Sequence, residues 1–189
     1  MRFLAGLFLS YTEINIFVRN SKSINQNHSS IMCGIVGYTG PREAYPIIIK
    51  GLKRLEYRGY DSWGFYGKDT EGKSHIFKEI GKISNTKDIA YGYDSHIAMA
   101  HTRWATHGGV TEANCHPHTS ENKEVIVVLN GIIENYVELR EELKSKGHVF
   151  TSETDTEVLP HLIEEYLEFG FEQACKKTVA RLDGMYAFV

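Results

Sequence analysis

A chain of 189 residues, 42% hydrophobic and 24% charged, holds one sizeable packed domain and is neither disordered nor fibrous in composition. Its formal net charge of -3 leaves no basic surplus for a phosphate backbone, so no nucleic acid partner is expected. No run approaches the roughly 18 to 20 apolar residues of a membrane span, and three widely spaced cysteines (Cys33, Cys115, Cys175) suit a reducing, cytoplasmic compartment better than a disulfide framework.

Residues 1–31 read as a leader outside the mature protein. Phe3 to Leu9 is apolar and follows Arg2, as in a signal peptide, but the run is short and no small-x-small pattern precedes Cys33. From Met32 the texture changes, and residues 32–189 read as the folded domain. Cys33 to Tyr38 predicts a short buried strand. Arg42 to Tyr57 predicts a helix with Ala44, Ile47, Ile48, Leu52 and Leu55 on its apolar side, which Pro46 permits only from the first turn.

Trp63 to Tyr66, His75 to Ile80 and His96 to Ala100 predict strands between glycine- and lysine-containing turns. Val125 to Leu129 is an unbroken apolar run expected to be a central strand. Helices are expected over Asn135 to Lys146, stopped by Gly147, over Thr156 to Phe169, with Pro160 in its first turn or at a kink, and over Glu172 to Leu182. Met185 to Val189 predicts a last strand with nothing after it to cover its edge, the mark of a domain cut short.

The chemistry lies in five ordered motifs: Cys33-Gly34-Ile35-Val36-Gly37-Tyr38 directly after Met32, Tyr57-Arg58-Gly59-Tyr60-Asp61-Ser62, His101-Thr102-Arg103-Trp104-Ala105-Thr106-His107-Gly108, Asn130-Gly131, and Ser152-Glu153-Thr154-Asp155-Thr156-Glu157. Taken singly, each has a plainer explanation. A buried cysteine is packing material, an Asn-Gly pair is a hairpin turn, an arginine forms a surface ion pair and an aspartate caps a helix.

Together and in this order they resemble the class II glutamine amidotransferases, members of the N-terminal-nucleophile hydrolases, over residues 32–189. The words around Arg58 and Arg103 match the glucosamine-6-phosphate synthase branch better than the amidophosphoribosyltransferase or asparagine synthetase branches.

The resemblance implies an α+β fold, a four-layer αββα sandwich, and hydrolysis of L-glutamine to glutamate and ammonia through a thioester on Cys33, without a cofactor. In that family the free α-amine of the cysteine is the general base. Reference pKa values of about 7.7 to 8.0 for the amine and about 8.5 for the thiol allow exchange near neutrality, whereas an amide nitrogen cannot take the proton. Cys33 must then lead the mature chain, either because translation starts at Met32 or because a propeptide is removed.

By the same resemblance Asn130 and Gly131 form the oxyanion hole, Arg103 binds the substrate carboxylate and Asp155 its ammonium. Trp104, Thr106 and His107 line the pocket, with His116 nearby, and Arg58 and Asp61 form a buried ion pair behind Cys33. A sugar-phosphate isomerase domain, absent here, would pass ammonia to fructose 6-phosphate in a homo-oligomer.

Two residues depart from the family pattern. Leu129 replaces a histidine before Asn-Gly, and Trp63 replaces a small residue after Asp-Ser, where a large indole is expected to crowd the site by roughly 1 to 3 kcal/mol. A zinc centre among His101, His107, Cys115, His116 and His118 is disfavoured by their spacing, so no metal ligand is assigned. A further alternative is a glutamine-binding module whose cysteine stays capped and inactive.

Overall fold

The structure is a computed structural model that describes residues 5–8, 15–19, 33–86 and 94–189. Two four-stranded antiparallel sheets carry the architecture. The first has the order β3-β6-β4-β5, built from β3 (Gly34–Thr39), β4 (Ser62–Asp69), β5 (Ser74–Ile80) and β6 (Ser95–Arg103). The second has the order β1-β2-β10-β9, built from β1 (Ala5–Phe8), β2 (Asn15–Arg19), β9 (Leu129–Ile133) and β10 (Gly184–Phe188). A two-stranded ribbon, β7 (His118–Thr119) with β8 (Ile126–Val127), lies between them in sequence.

Each sheet buries its outer face under helices. On the first, α1 (Ala44–Leu55) lays Ala44, Tyr45, Ile48 and Leu52 against Trp63, Phe65, Ala98 and Ala100. On the second, Leu129, Ile133, Tyr186 and Phe188 pack against α3 (Val158–Glu165) and α4 (Phe171–Arg181), with Leu139 and Leu143 of α2 (Tyr136–Ser145) in the same core. The inner faces meet around Asn130, whose side chain reaches the backbone of Cys33. This is the αββα sandwich that the family resemblance implies.

Most expected elements form within about two residues of their predicted ends, a usual scatter for helix and strand boundaries. Pro46 and Pro160 each occupy the third position of a helix, where the missing N–H breaks no helical bond. The helix expected to run to Phe169 leaves α geometry at Tyr166 and finishes as a 3-10 turn over Leu167–Phe169, stopped by Gly170 at φ 82°.

The unbroken strand expected over Val125 to Leu129 is a correction. Only Ile126–Val127 pairs with β7; Val128 exchanges both backbone bonds with Val189 (3.0 and 3.1 Å), and β9 starts at Leu129. Apolarity marked the segment as buried, while its pairing is set by two different neighbours. The edge of β10 expected to be bare is paired with β2, through Tyr186–Arg19, Ala187–Val18 and Phe188–Phe17. The remaining leader residues (1–4, 9–14 and 20–31), and with them Met32, lie outside the described residues.

Trp63 is a second correction. Strand alternation turns its indole outward to the α1 side, where it is 1% exposed and packs on Phe65 and Phe77 at ring separations of 6.3 and 5.1 Å. It does not crowd the cleft around Cys33. Instead it fills the outer core, and its Nε1 has no partner among the described residues.

Candidate active site

Cys33 stands at the entry to β3, half-buried, with Gly34 N–H donating to Thr102 Oγ1 at 3.1 Å. Its Sγ accepts the Trp104 N–H at 3.1 Å. Burial pushes the thiol pKa up, while that backbone donor and the Arg103 charge pull it back. The burial dominates, so the thiol needs a neighbouring base to ionise near neutrality.

The segment behind Cys33 is fixed from two sides. Asp61 accepts the Ala105 N–H at 2.9 Å, and Arg58 Nε donates to the Cys33 carbonyl at 3.4 Å. Both side chains are half-buried, and each of these bonds runs to backbone next to the thiol. Gly59 is required by proximity, since a Cβ there would lie 2.8 Å from the Arg103 carbonyl carbon.

Asn130 reaches across from β9, its Nδ2 donating to the Cys33 carbonyl at 2.9 Å. Its Oδ1 accepts from His101 Nε2 at 3.0 Å, which places the proton of His101 on Nε2. Buried completely, His101 has its pKa pushed down to about 3 and is neutral. His116 stacks on it at 4.0 Å and accepts the Leu129 N–H through Nδ1 at 3.2 Å, and His118 Nε2 meets Thr154 Oγ1 at 3.1 Å. Burial holds the pKa of both far below the ordinary imidazole value.

Arg103 ends β6 and is 4% exposed. Its Nη1 donates to the Gly109 carbonyl at 3.1 Å and its Nη2 to the His107 carbonyl at 2.5 Å, so the guanidinium organises the loop over the cleft. Each Nη keeps one further N–H. Buried Asp155 accepts the Ile133 N–H at 2.8 Å, with His107 Nδ1 3.9 Å from its other oxygen. Burial raises its pKa against those donors.

A narrow cleft of about 20 Å³ joins these groups. Cys33, Arg103, Trp104, Thr106, His107, His116, Gly131 and Asp155 line it, together with Leu129, Thr154 and Thr156. Asn130 lies behind Cys33. A cleft of this size holds about one water. A larger cavity of about 830 Å³, near Met99, Val127, Cys175 and Phe188, contains none of the predicted site residues. Convergence of a thiol, a cation and a carboxylate identifies the site better than volume does.

His101 was not assigned a place in the site on sequence grounds. The available signal was strand alternation, which sets it on the same face of β6 as Arg103. Leu129, the other departure from the family pattern, lines the cleft and belongs to the second core as well.

The fold and this cleft define a glutamine amidotransferase: the family model described as "Glutamine amidotransferase domain" matches residues 87–189, and the chain belongs to that family. It is 52% identical over 162 residues to the glutamine-fructose-6-phosphate aminotransferase (isomerizing) of Pyrococcus horikoshii, covering 84% of this chain and 27% of that protein. To the enzyme of the same name from Aquifex aeolicus it is 51% identical over 159 residues, covering 83% and 27%. The chain thus spans about a quarter of the length of these relatives.

Among solved structures it is similar to glutamine phosphoribosylpyrophosphate amidotransferase from B. subtilis, complexed with ADP and GMP, with a TM-score of 0.71 and 28% identity over 82% of this chain and 34% of that one. A second structure, of the allosteric regulatory enzyme of purine biosynthesis, gives a TM-score of 0.73 and 30% identity with the same coverage. No described helix is long and apolar enough to cross a membrane.

Proposed function

We propose that this domain hydrolyses L-glutamine, with Cys33 as nucleophile. The observation that carries the reading is the convergence of Cys33, Arg103 and Asp155 on one cleft. A guanidinium and a carboxylate lining one cleft suit the carboxylate and ammonium ends of an α-amino acid, leaving the side-chain amide for the thiol.

The Cys33 thiol gives its proton to its own α-amine, and Sγ adds to the amide carbon of glutamine. Charge develops on the amide oxygen, and the second Nδ2–H of Asn130 and the Gly131 N–H stabilise it. The α-ammonium protonates the leaving nitrogen, the C–N bond breaks, and ammonia departs from a γ-glutamyl thioester. Water then adds to the thioester, the amine takes its proton, and glutamate leaves as the thiol re-forms. Trp104, Thr106, His107 and His116 enclose the substrate.

The base exists only if Cys33 begins the working chain. Within a longer protein of the relatives' length, the ammonia serves amination of fructose 6-phosphate, as the relatives' name indicates for them. The phosphoribosyl alternative is weaker, because identity falls from about half to under a third between the two groups of relatives.

The test is glutamate release by protein produced from Met32 and shown by mass to start at Cys33. Turnover is expected there and absent in Cys33→Ala. Equal turnover by protein retaining residue 32, or survival of Cys33→Ala, overturns the mechanism.

A further inference from the structure

Two histidines and a glutamate converge beyond the cleft, at the junction of α2 and α3. His148 follows Gly147, whose φ of 101° turns the chain out of α2. His161 and Glu164 stand three residues apart on α3, hence on one helix face. His148 Nδ1 and His161 Nδ1 are 3.0 Å apart, and Glu164 Oε2 is 3.9 Å from His148 Nδ1. Nitrogen and oxygen ligand atoms of all three residues lie within 4.8 Å of one another, and no other group of three such ligands converges like this among the described residues.

His148 Nε2 lies 3.0 Å from a Glu165 oxygen, which can only accept, so the proton of a neutral His148 is on Nε2 and its Nδ1 accepts from His161 Nδ1–H; a cation bound between the two rings would take the place of that bridging proton, which moves to His161 Nε2. That pattern, a carboxylate holding the far nitrogen of an imidazole, is the usual support of a metal-binding histidine. His161 is 1% exposed. Glu164 Oε1 is buried with no donor among the described residues, an acceptor deficit that a cation relieves. Lys146 pairs with Glu165 at 2.9 Å and with Glu142 at 3.1 Å, not with Glu164.

We propose that His148, His161 and Glu164 bind one divalent transition metal, Zn²⁺ above all, with water completing a tetrahedron. Zinc–nitrogen bonds of about 2.0 to 2.1 Å place two imidazole nitrogens about 3.3 Å apart in such a centre, so the facing nitrogens need open by only a few tenths of an ångström. Two imidazoles and one carboxylate suit zinc better than calcium or magnesium, which prefer oxygen ligands. The metal has a structural role. It clips the end of α2 to α3 and closes the intervening chain, which carries Thr154, Asp155 and Thr156 of the cleft.

The experiment uses the full chain, freed of metal by chelator dialysis and titrated with Zn²⁺ against a chromophoric chelator, and with Co²⁺ followed by visible absorption. One equivalent of Zn²⁺ is expected, together with a tetrahedral Co²⁺ spectrum free of thiolate charge-transfer bands, and both unchanged in Cys33→Ser. Glu164→Gln and His148→Gln, each checked for folding by circular dichroism, should weaken Zn²⁺ binding more than about 100-fold, and Glu165→Gln about 10- to 100-fold. Failure to bind Zn²⁺, a thiolate band, or undiminished binding in a folded Glu164→Gln protein overturns the site. The glutaminase reading is untouched by any of these results.

Discussion

His101 Nε2 donates to Asn130 Oδ1 at 3.0 Å, and the amide nitrogen of the same Asn130 side chain donates to the Cys33 carbonyl at 2.9 Å. The second bond settles which way the amide faces, since a carbonyl can only accept, and the first then holds Oδ1 in place. His101 therefore acts through Asn130 as a positioning residue. It is neutral at any working pH, because its pKa is pushed down to about 3.

Replacing His101 by leucine should lower kcat for glutamine hydrolysis by roughly 10-fold or more, less than the about 100- to 1000-fold typical of deleting an oxyanion donor. KM should stay within about twofold. His101→Gln, which restores a donor, should recover part of kcat. The acid limb of the rate profile should not move. Steady-state kinetics of the two variants decide it; a rise in KM with unchanged kcat would assign His101 to substrate binding.

The buried imidazoles also set a pH dependence of stability. His101, His116 and His118 are neutral when folded and bind protons readily only when unfolded, so the unfolded chain holds more protons below its ordinary imidazole pKa. Stability is then full above about pH 6.5 and falls as the pH drops, with a slope approaching about 1.4 kcal/mol per pH unit for each imidazole. For His101 the loss continues down to about pH 3. Asp155, raised by burial, works in the opposite sense at the acid end. Urea midpoints between pH 8 and 5 should decline below about 6.5, and a flat profile contradicts the assignment.

Gly131 sits at φ 114°, and a Cβ there would lie 2.1 Å from the Met185 carbonyl oxygen of the paired strand. Both strain and clash are backbone-borne, so no rotamer relieves them. Gly131→Ala should destabilise the domain by on the order of 3 kcal/mol or more, or prevent folding, as read by denaturant unfolding. Full stability would show that β9 can slide away from β10.

Trp63→Ala removes the largest side chain of the α1-side core and should cost about 3 to 5 kcal/mol. KM for glutamine should not change, because the indole lies on the opposite face of β4 from the cleft. Denaturation and kinetics on the same preparation test both halves, and a large KM shift would place Trp63 back in the site.

The contrast between Trp63 and His101 shows what was legible in the sequence. The α1 helix and the strands β3 to β6 follow from local periodicity, which binds nearby residues. The direction of Trp63 was available from alternation too, once β4 begins at Ser62. The break at Val128 was not, because it depends on Val189, far along the chain, taking its backbone groups. The bond from His101 to Asn130 likewise joins two sheets that only the tertiary fold brings together. Cys33, Arg103 and Asp155 were named through family resemblance, and each is plain packing or capping material by local rules.

Arg103 is where charge and shape separate. Its two Nη atoms bridge the carbonyls of His107 and Gly109, and each keeps one further N–H for the substrate carboxylate that the proposed reaction brings. Lysine keeps the charge but offers a single ammonium, which cannot span both carbonyls and a ligand with the same planar geometry. Arg103→Lys should therefore raise KM at least about 10-fold while lowering kcat much less, the pattern of lost ground-state binding. The 104–109 loop should also become more susceptible to limited proteolysis, because its two carbonyl anchors are weakened. A variant with normal KM and collapsed kcat would instead place the guanidinium at the reacting amide.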